Sequence, residues 1–202
     1  MKPLPRVREV GQAYDALYRT SPFQDSVKLY RWVTTLAGVG SGDRVLDIGC
    51  GIGGALSAVT EVGAQAWGID ISREALNQAR TRCPRAHLCQ ADGAHTPFAD
   101  GSFHHIYNLG SLEHLTDLQG GLHEMHRLLE EKCFAWLLLP NLYYSGTIWK
   151  AIRSGYGPDH HQPIDRFATR REWQDLLEAA GLHVVHSYPY HKGKWWKRLL
   201  PK

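Results

Sequence analysis

The chain has 202 residues, 43% apolar and 21% charged, values that describe one soluble globular domain and argue against disorder. Its net charge of +3 is too small to point to nucleic acid by itself. The longest apolar run, Cys133 to Leu139, falls far short of the ~20 residues a membrane span needs.

The segment 1–42 reads as an amphipathic helical cap, with Val27, Tyr30, Val33 and Leu36 at helical spacing before Gly38, Gly40 and Gly42. Its first residues, including Pro3, Pro5, Arg6 and Arg8, lack the apolar stretch of a signal peptide. From 43 to 139 short apolar runs alternate with helical patterns. Strands are predicted at Arg44–Ile48, Ala64–Ile69, Ala86–Gln90, His104–Leu109 and Cys133–Leu139, with helices at 53–62, 72–82 and 117–130. This order implies βαβ units, a mostly parallel sheet and helices on both faces. Residues 140–168 are less regular: a short helix over Leu142 to Arg153, then a loop from Ser154 to Pro163. Thr169-Arg-Arg-Glu172 is a capping box, so a helix starts there and stops at Gly181. His183 to Tyr188 alternates as a strand does, and a basic, Trp-rich tail closes the sequence. No linker divides the chain, so 1–202 is expected to be one domain. Four cysteines without a CxxC pair and twelve scattered histidines without HExxH spacing indicate no metal site. A reduced, cytoplasmic setting is expected.

The most informative stretch is Val45-Leu-Asp47-Ile-Gly49-Cys-Gly51-Ile-Gly53-Gly54, which follows a strand and opens a helix. Gly49, Gly51 and Gly53 allow a sharp turn and close approach of a ligand to the backbone. Gly49, Gly51 and Gly54 also satisfy GxGxxG, so the pattern alone does not separate a dinucleotide from another adenosine cofactor. Charge does. A pyrophosphate at the helix N-terminus would be opposed by Asp47, whereas a ligand carrying an ammonium and a sulfonium would suit it. Asp70 closes the second strand 21 residues after Gly49, where a carboxylate accepts ribose hydroxyls. Asp92, followed by Gly93, adds an acidic tip after the third strand.

VLDIGCGIGG, GIDIS, CQADGAHTPFADGSF, YNLGSLEHL and RLL…LLLPN resemble, in order and spacing, the successive motifs of class I S-adenosylmethionine-dependent methyltransferases, most closely the small-molecule, methyltransferase type 11-like branch. The resemblance covers about 40–140 well and 169–188 more loosely. It implies a Rossmann-like doubly wound sheet of six or seven strands. It also implies that Gly49, Gly51 and Gly53, with Asp47, line the methionine part of S-adenosylmethionine, and that Asp70, with Ile71 beside it, holds the ribose. Asp92 and Gly93 would flank the adenine, and Asn108 and Leu109 would offer backbone at the end of strand four. In similar enzymes the N-terminal segment covers the cofactor, which brings in Tyr14 and Tyr18. The sequence departs from the family at His104-His105 after DGSF, and at Glu131-Lys132-Cys133 where Pro-Gly-Gly is usual.

Methyl transfer from a sulfonium needs positioning above all, and a general base only where the acceptor must lose a proton. Candidate bases are His114, in Ser-Leu-Glu-His, and His160 and His161 in the 140–168 insertion. That insertion offers Tyr143, Tyr144, Trp149 and Tyr156 as walls of an acceptor pocket, with Asp165 and Arg166 as polar groups. The reading favoured is methyl transfer to a small-molecule acceptor, foremost at oxygen, leaving S-adenosylhomocysteine. A nucleic-acid or protein methyltransferase is the alternative, disfavoured for nucleic acid by the mild charge and the lack of a basic stripe. A cofactor-binding module without turnover is the third. The tail 192–202, with Trp195 and Trp196 among lysines, suits weak contact with a membrane surface.

Overall fold

The computed structural model describes residues 5–20, 26–157 and 162–190. Two helices come first, α1 (Val7–Thr20) and α2 (Val27–Leu36). The alternating region follows as β1 (Arg44–Ile48), α3 (Gly54–Glu61), β2 (Gln65–Asp70), α4 (Arg73–Arg82), β3 (His87–Gln90), β4 (Phe103–Leu109), α5 (Leu118–Leu128) and β5 (Leu129–Leu138). Beyond it lie α6 (Ser145–Ser154) and α7 (Arg170–Ala179). The strands form one parallel sheet in the order β3-β2-β1-β4-β5. The order reverses between β1 and β4, which pair at Val45–His105, Leu46–Ile106 and Asp47–Tyr107. In open parallel sheets the loops leaving the carboxyl ends of strands at such a reversal part in opposite directions, and the crevice between them is where ligands bind.

The sheet is buried on both faces, so its central strands are almost continuously apolar. Along β1, Val45 packs with Leu29, Val33, Leu56, Val59 and Tyr107 on one side. Leu46 and Ile48 pack with Ile69, Phe103, Leu122, Met125, Leu128 and Trp173 on the other. Each such aliphatic side chain stabilises the fold by roughly 1.5–3 kcal/mol. The capping box of α7 forms as expected: the Glu172 amide donates to Thr169 Oγ1 at 3.2 Å, and the Thr169 amide donates to Glu172 Oε2 at 2.7 Å.

Two expectations are corrected. The sheet has five strands among the described residues, not six or seven, because His183 to Tyr188 forms none. Alternation alone does not make a strand without a neighbouring ladder. Val184 leans on the α7 side of the core while Val185 and Tyr188 stay exposed, and among the described residues no strand pairs with the outer edge of β5. The second correction concerns Glu131-Lys132-Cys133, which is not a turn before the last strand. Strand β5 starts directly at Leu129, and its pairing with β4 slips between Phe103–Leu129 and His105–Phe134. Lys132 takes up the slip with φ +65°, the one non-glycine residue in the left-handed region among those described.

A left-handed residue with a Cβ costs roughly 1–2 kcal/mol, part of which glycine returns through its greater freedom when unfolded. Lys132→Gly is therefore expected to stabilise the protein by about 0.5–1 kcal/mol. Urea unfolding checks this, and a loss of stability would show that the Lys132 side chain holds the bulge.

Candidate active site

The glycine loop leaves β1 with Gly49, Gly51 and Gly53 at φ +75°, +51° and +81°. Space as well as dihedral angle demands glycine here. A Cβ at Gly49 would lie 2.4 Å from Ser111 Oγ, one at Gly51 2.8 Å from the Tyr18 hydroxyl, and one at Gly53 3.1 Å from Cys83 Sγ. The Ser111 hydroxyl sits 2.7 Å from the Ile48 carbonyl and 2.9 Å from Asn108 Oδ1, tying the ends of β1 and β4 together across the crevice. Asn108 is fully buried, and its Nδ2 has no hydrogen-bond partner among the described residues.

Asp70 ends β2 facing this loop. Its Oδ2 accepts the Gly51 amide and its Oδ1 the Ser72 amide, both at 2.8 Å. Ser72 is also the N-cap of α4, accepting from the Ala75 amide at 3.1 Å. Two buried carboxyls therefore stand at adjacent strand ends, Asp47 within β1 and Asp70 at the end of β2. Burial, with the Asp70 charge behind it, pushes Asp47 up to about 7. Burial likewise pushes Asp70 up to about 6, against the pull of the Ser72, Gly51 and Ile71 amides. No ion pair to either forms among the described residues. Asp92 lies further out, accepting the Ala94 amide at 3.2 Å, and Gly93 packs against Ile48 and Leu115.

Helix α1 lies over the loop. Tyr14 and Tyr18, one turn apart, are both buried, in a small cluster with Val10, Ala75 and Ile164. The Tyr14 hydroxyl donates to Gln162 Oε1 at 2.8 Å. Burial first, and nearby carboxylates second (Asp165, Asp70 and Glu113 for Tyr14; Asp70 for Tyr18), hold both phenols well above the usual tyrosine range. Asp15 of the same helix accepts the Ser72 hydroxyl at 2.6 Å and the Glu74 amide at 3.0 Å, fastening α1 to the start of α4. The 57 positions between Asp15 and Ser72 leave no local signal, and sequence reasoning missed Asp15.

Beyond β4, Leu112–His114 forms a single 3-10 turn. Here Glu113 and His114 are buried against the segment 162–167. His114 Nδ1 bonds the Ile164 carbonyl, which can only accept, so Nδ1 carries the proton. Its Nε2 lies 3.6 Å from Glu113 Oε1, and Asp165 Oδ1 lies 3.4 Å from Nδ1. Glu113 is only 4% exposed, and its Oε2 has no hydrogen-bond partner among the described residues. Burial, with Asp165 nearby, pushes Glu113 up to about 7. Arg166 donates to the carbonyls of Glu113 at 3.2 Å, Leu115 at 2.5 Å and Thr116 at 3.4 Å. Arg166, expected as a polar group of the acceptor segment, acts here as a backbone clamp. Tyr143, Tyr144, Trp149 and Tyr156, expected as walls of an acceptor pocket, are exposed. His160, His161 and the tail 192–202 lie outside the described residues. Two shallow depressions border this side. One, of about 550 Å³, is lined by Ala13, Leu17 and Gln162; the other, of about 480 Å³, by Phe167 and Leu176.

His104 and His105 belong elsewhere. They join Asp43, Arg44 and Glu130 at the amino ends of the strands, where His104 Nδ1 accepts the Arg44 amide at 3.0 Å. Among the described residues no His, Cys, Asp and Glu side chains gather as a metal site, and no helix is long and apolar enough to cross a membrane.

Asp47 and Asp70 thus put two buried carboxyls beside the glycine loop, with backbone amides and tyrosines around them. That set fits a ligand with positive charge, an adenosine-bearing sulfonium among them, and opposes a pyrophosphate.

A profile described as a methyltransferase domain matches residues 46–137. The demethylmenaquinone methyltransferase of Tropheryma whipplei is 34% identical over 123 residues, 60% of this chain and 52% of that protein. The chain therefore spans about half the length of that relative. The demethylmenaquinone methyltransferase of Chlorobaculum parvum is 31% identical over 164 residues, 72% of this chain and 68% of that protein. The crystal structure of the cyclase SpnF shares the fold, with TM-score 0.71 and 20% identity over 90% of this chain and 74% of that one.

The buried carboxyls set a pH test. A carboxyl raised in the folded state holds a proton that the unfolded chain has released, so its contribution to stability falls as pH rises from about 4 to about 7. Asp47→Asn should be more stable than the parent at pH 8, on the order of 2 kcal/mol, with the advantage shrinking towards pH 5. Urea unfolding at several pH values measures it, and a pH-independent difference would mean that Asp47 is ionised throughout.

Proposed function

The chain belongs to the S-adenosylmethionine-dependent methyltransferase-domain family, and from that premise we propose that it transfers a methyl group to a small-molecule acceptor, foremost at oxygen, by in-line displacement. The observation that carries this reading is the buried Asp47–Asp70 pair beside a glycine loop, an arrangement that favours a cationic donor. S-adenosylmethionine is the family's cofactor and supplies an already activated methyl group. In this reading Gly49, Gly51 and Gly53 face its methionine part, Asp70 with Ile71 accepts from the ribose, and Asp92 with Gly93 borders the adenine. Asn108 and Leu109 close the crevice from β4, and Tyr14 and Tyr18 cover it from α1. The small-molecule assignment draws on the demethylmenaquinone methyltransferases among the relatives. The whole chain works as one domain, with 1–42 as cap and 140–168 on the acceptor side.

What the protein contributes to the displacement is alignment, and effective molarity is worth on the order of 7–11 kcal/mol. An acceptor hydroxyl also has to lose its proton, and His114, His160 and His161 are the imidazoles proposed to take it. His114 is oriented by the Ile164 carbonyl at Nδ1, and its Nε2 lies 3.6 Å from Glu113 Oε1.

Asp70→Asn should weaken S-adenosylmethionine tenfold or more, since a charge-assisted hydrogen bond is worth roughly 1.5–3 kcal/mol. Calorimetry on the folded variant measures this, and unchanged affinity removes Asp70 from the cofactor site. Melting curves with S-adenosylmethionine, S-adenosylhomocysteine and NAD separate the cofactor classes, because a bound ligand raises the melting temperature. Replacing the imidazole that serves as base should lower kcat by about 10² or more and remove a rise of rate through a pKa near 6.5. Cofactor affinity should not change. Full turnover with all three histidines replaced leaves positioning as the whole of catalysis.

A further inference from the structure

Large apolar side chains exposed one at a time are ordinary, but a contiguous group of them is not. Six of the exposed large hydrophobics fall within 14 residues around α6. Tyr143 is 67% exposed, Trp149 65%, Ile152 71% and Tyr156 77%, with Tyr144 and Ile148 also exposed. On the helix, Ile148, Trp149 and Ile152 stand at i, i+1 and i+4 and so share one face. Charge over the same stretch has a single sign: residues 141–157 contain Lys150 and Arg153 and no aspartate or glutamate.

An occupant of this face has to accept aromatic and aliphatic groups and to bring negative charge to its rim, where the exposed Arg153 follows Ile152. A second copy meeting it about a two-fold axis would set two basic, acid-free segments against each other. Tyrosine and tryptophan, apolar bodies with a polar tip, settle where hydrocarbon meets water, and lysine and arginine settle on anionic headgroups. Ten residues of helix span about 15 Å, half of a hydrocarbon core, so α6 would lie in the interface and not cross it. We propose that α6 with its flanking tyrosines docks on the surface of an anionic phospholipid bilayer. The segment follows the carboxyl end of β5, on the edge of the sheet that also carries the glycine loop, so docking sets the crevice side of the molecule towards the lipid. Docking does not depend on the methyl-transfer reading and is measured without cofactor.

The test is cosedimentation of the full chain with phosphatidylcholine vesicles, with and without phosphatidylglycerol. The parent should pellet with the anionic vesicles only. Trp149→Ser combined with Ile152→Ser should weaken partitioning about tenfold or more at an unchanged melting temperature. A second variant, Trp195→Ser with Trp196→Ser, separates the α6 face from the basic tail. The proposal is overturned if the parent does not pellet, or if the α6 variant pellets like the parent while the tail variant does not. It is also overturned if sedimentation without vesicles shows a dimer that the α6 substitutions abolish.

Discussion

Two buried carboxyls on neighbouring strands, with no cation to pair them among the described residues, are the constraint around which the rest of this molecule is arranged. Burial penalises the charge of each carboxyl, and at Asp47 the nearby Asp70 charge adds to that penalty. The fold offsets part of this with backbone. The Gly51 amide comes from a loop that only glycine can form, and the Ser72 amide from the first turn of α4, and both point at Asp70. What the amides do not offset raises the affinity of both carboxyls for a proton, Asp47 to about 7 and Asp70 to about 6. A cation delivered into the crevice would do the same work as the proton, and an anion would add to the repulsion. Ligand selection therefore follows from an electrostatic debt in the fold itself, before any contact with a particular group is considered.

The parts of this arrangement that are local in sequence could be read in advance. The five strands of the sheet fall within a few residues of their predicted positions, since strands covered on both faces are marked by apolar runs. The capping box at Thr169 and the glycine loop depend on neighbours three to five positions away, and both formed as expected. What failed depends on partners far along the chain. His183 to Tyr188 has the alternation of a strand, but alternation is local while a ladder is not, and among the described residues this segment pairs with no strand. Lys132 sits where a glycine would be expected because the slip in the β4–β5 register, invisible from either strand alone, puts the bulge there. Asp165 and Arg166 looked like groups for an acceptor; in the fold they turn inward to Glu113, His114 and the carbonyls after β4. The aromatic residues near α6 were legible as a group. Their direction was not, because composition does not say whether a ring faces a pocket or the solvent.

Arg166 shows how these distant pieces become one site. A guanidinium offers five donors in a fixed plane, and here three carbonyls around the 3-10 turn share two of its nitrogens. A lysine in its place would present a point charge and lose the fork. The same short segment gives His114 its carbonyl partner through Ile164 and gives Tyr14 its acceptor through Gln162. One strand of irregular chain thus fixes both the turn after β4 and the helix above the glycine loop.

That cover is built differently from the layers below it. Clusters of 13 and 12 buried residues hold the two faces of the sheet, whereas α1 is held by a cluster of five together with polar contacts. Among those contacts, Asp15 accepts from Ser72 and Glu74, Gln78 Nε2 donates to the Tyr18 carbonyl, and Tyr14 donates to Gln162. Polar contacts at a protein surface exchange with water at a net difference of about 1 kcal/mol each, while a buried aliphatic side chain is worth two or three times that. The stability of the sheet and that of its cover are therefore unequal by construction, with the weaker part lying directly over the acidic crevice. Tyrosine at positions 14 and 18 reconciles the two demands on such a cover. Each ring supplies apolar area to the small cluster, and each hydroxyl remains a neutral donor beside Asp70, where an acidic side chain would deepen the repulsion and a basic one would compete with a cationic ligand.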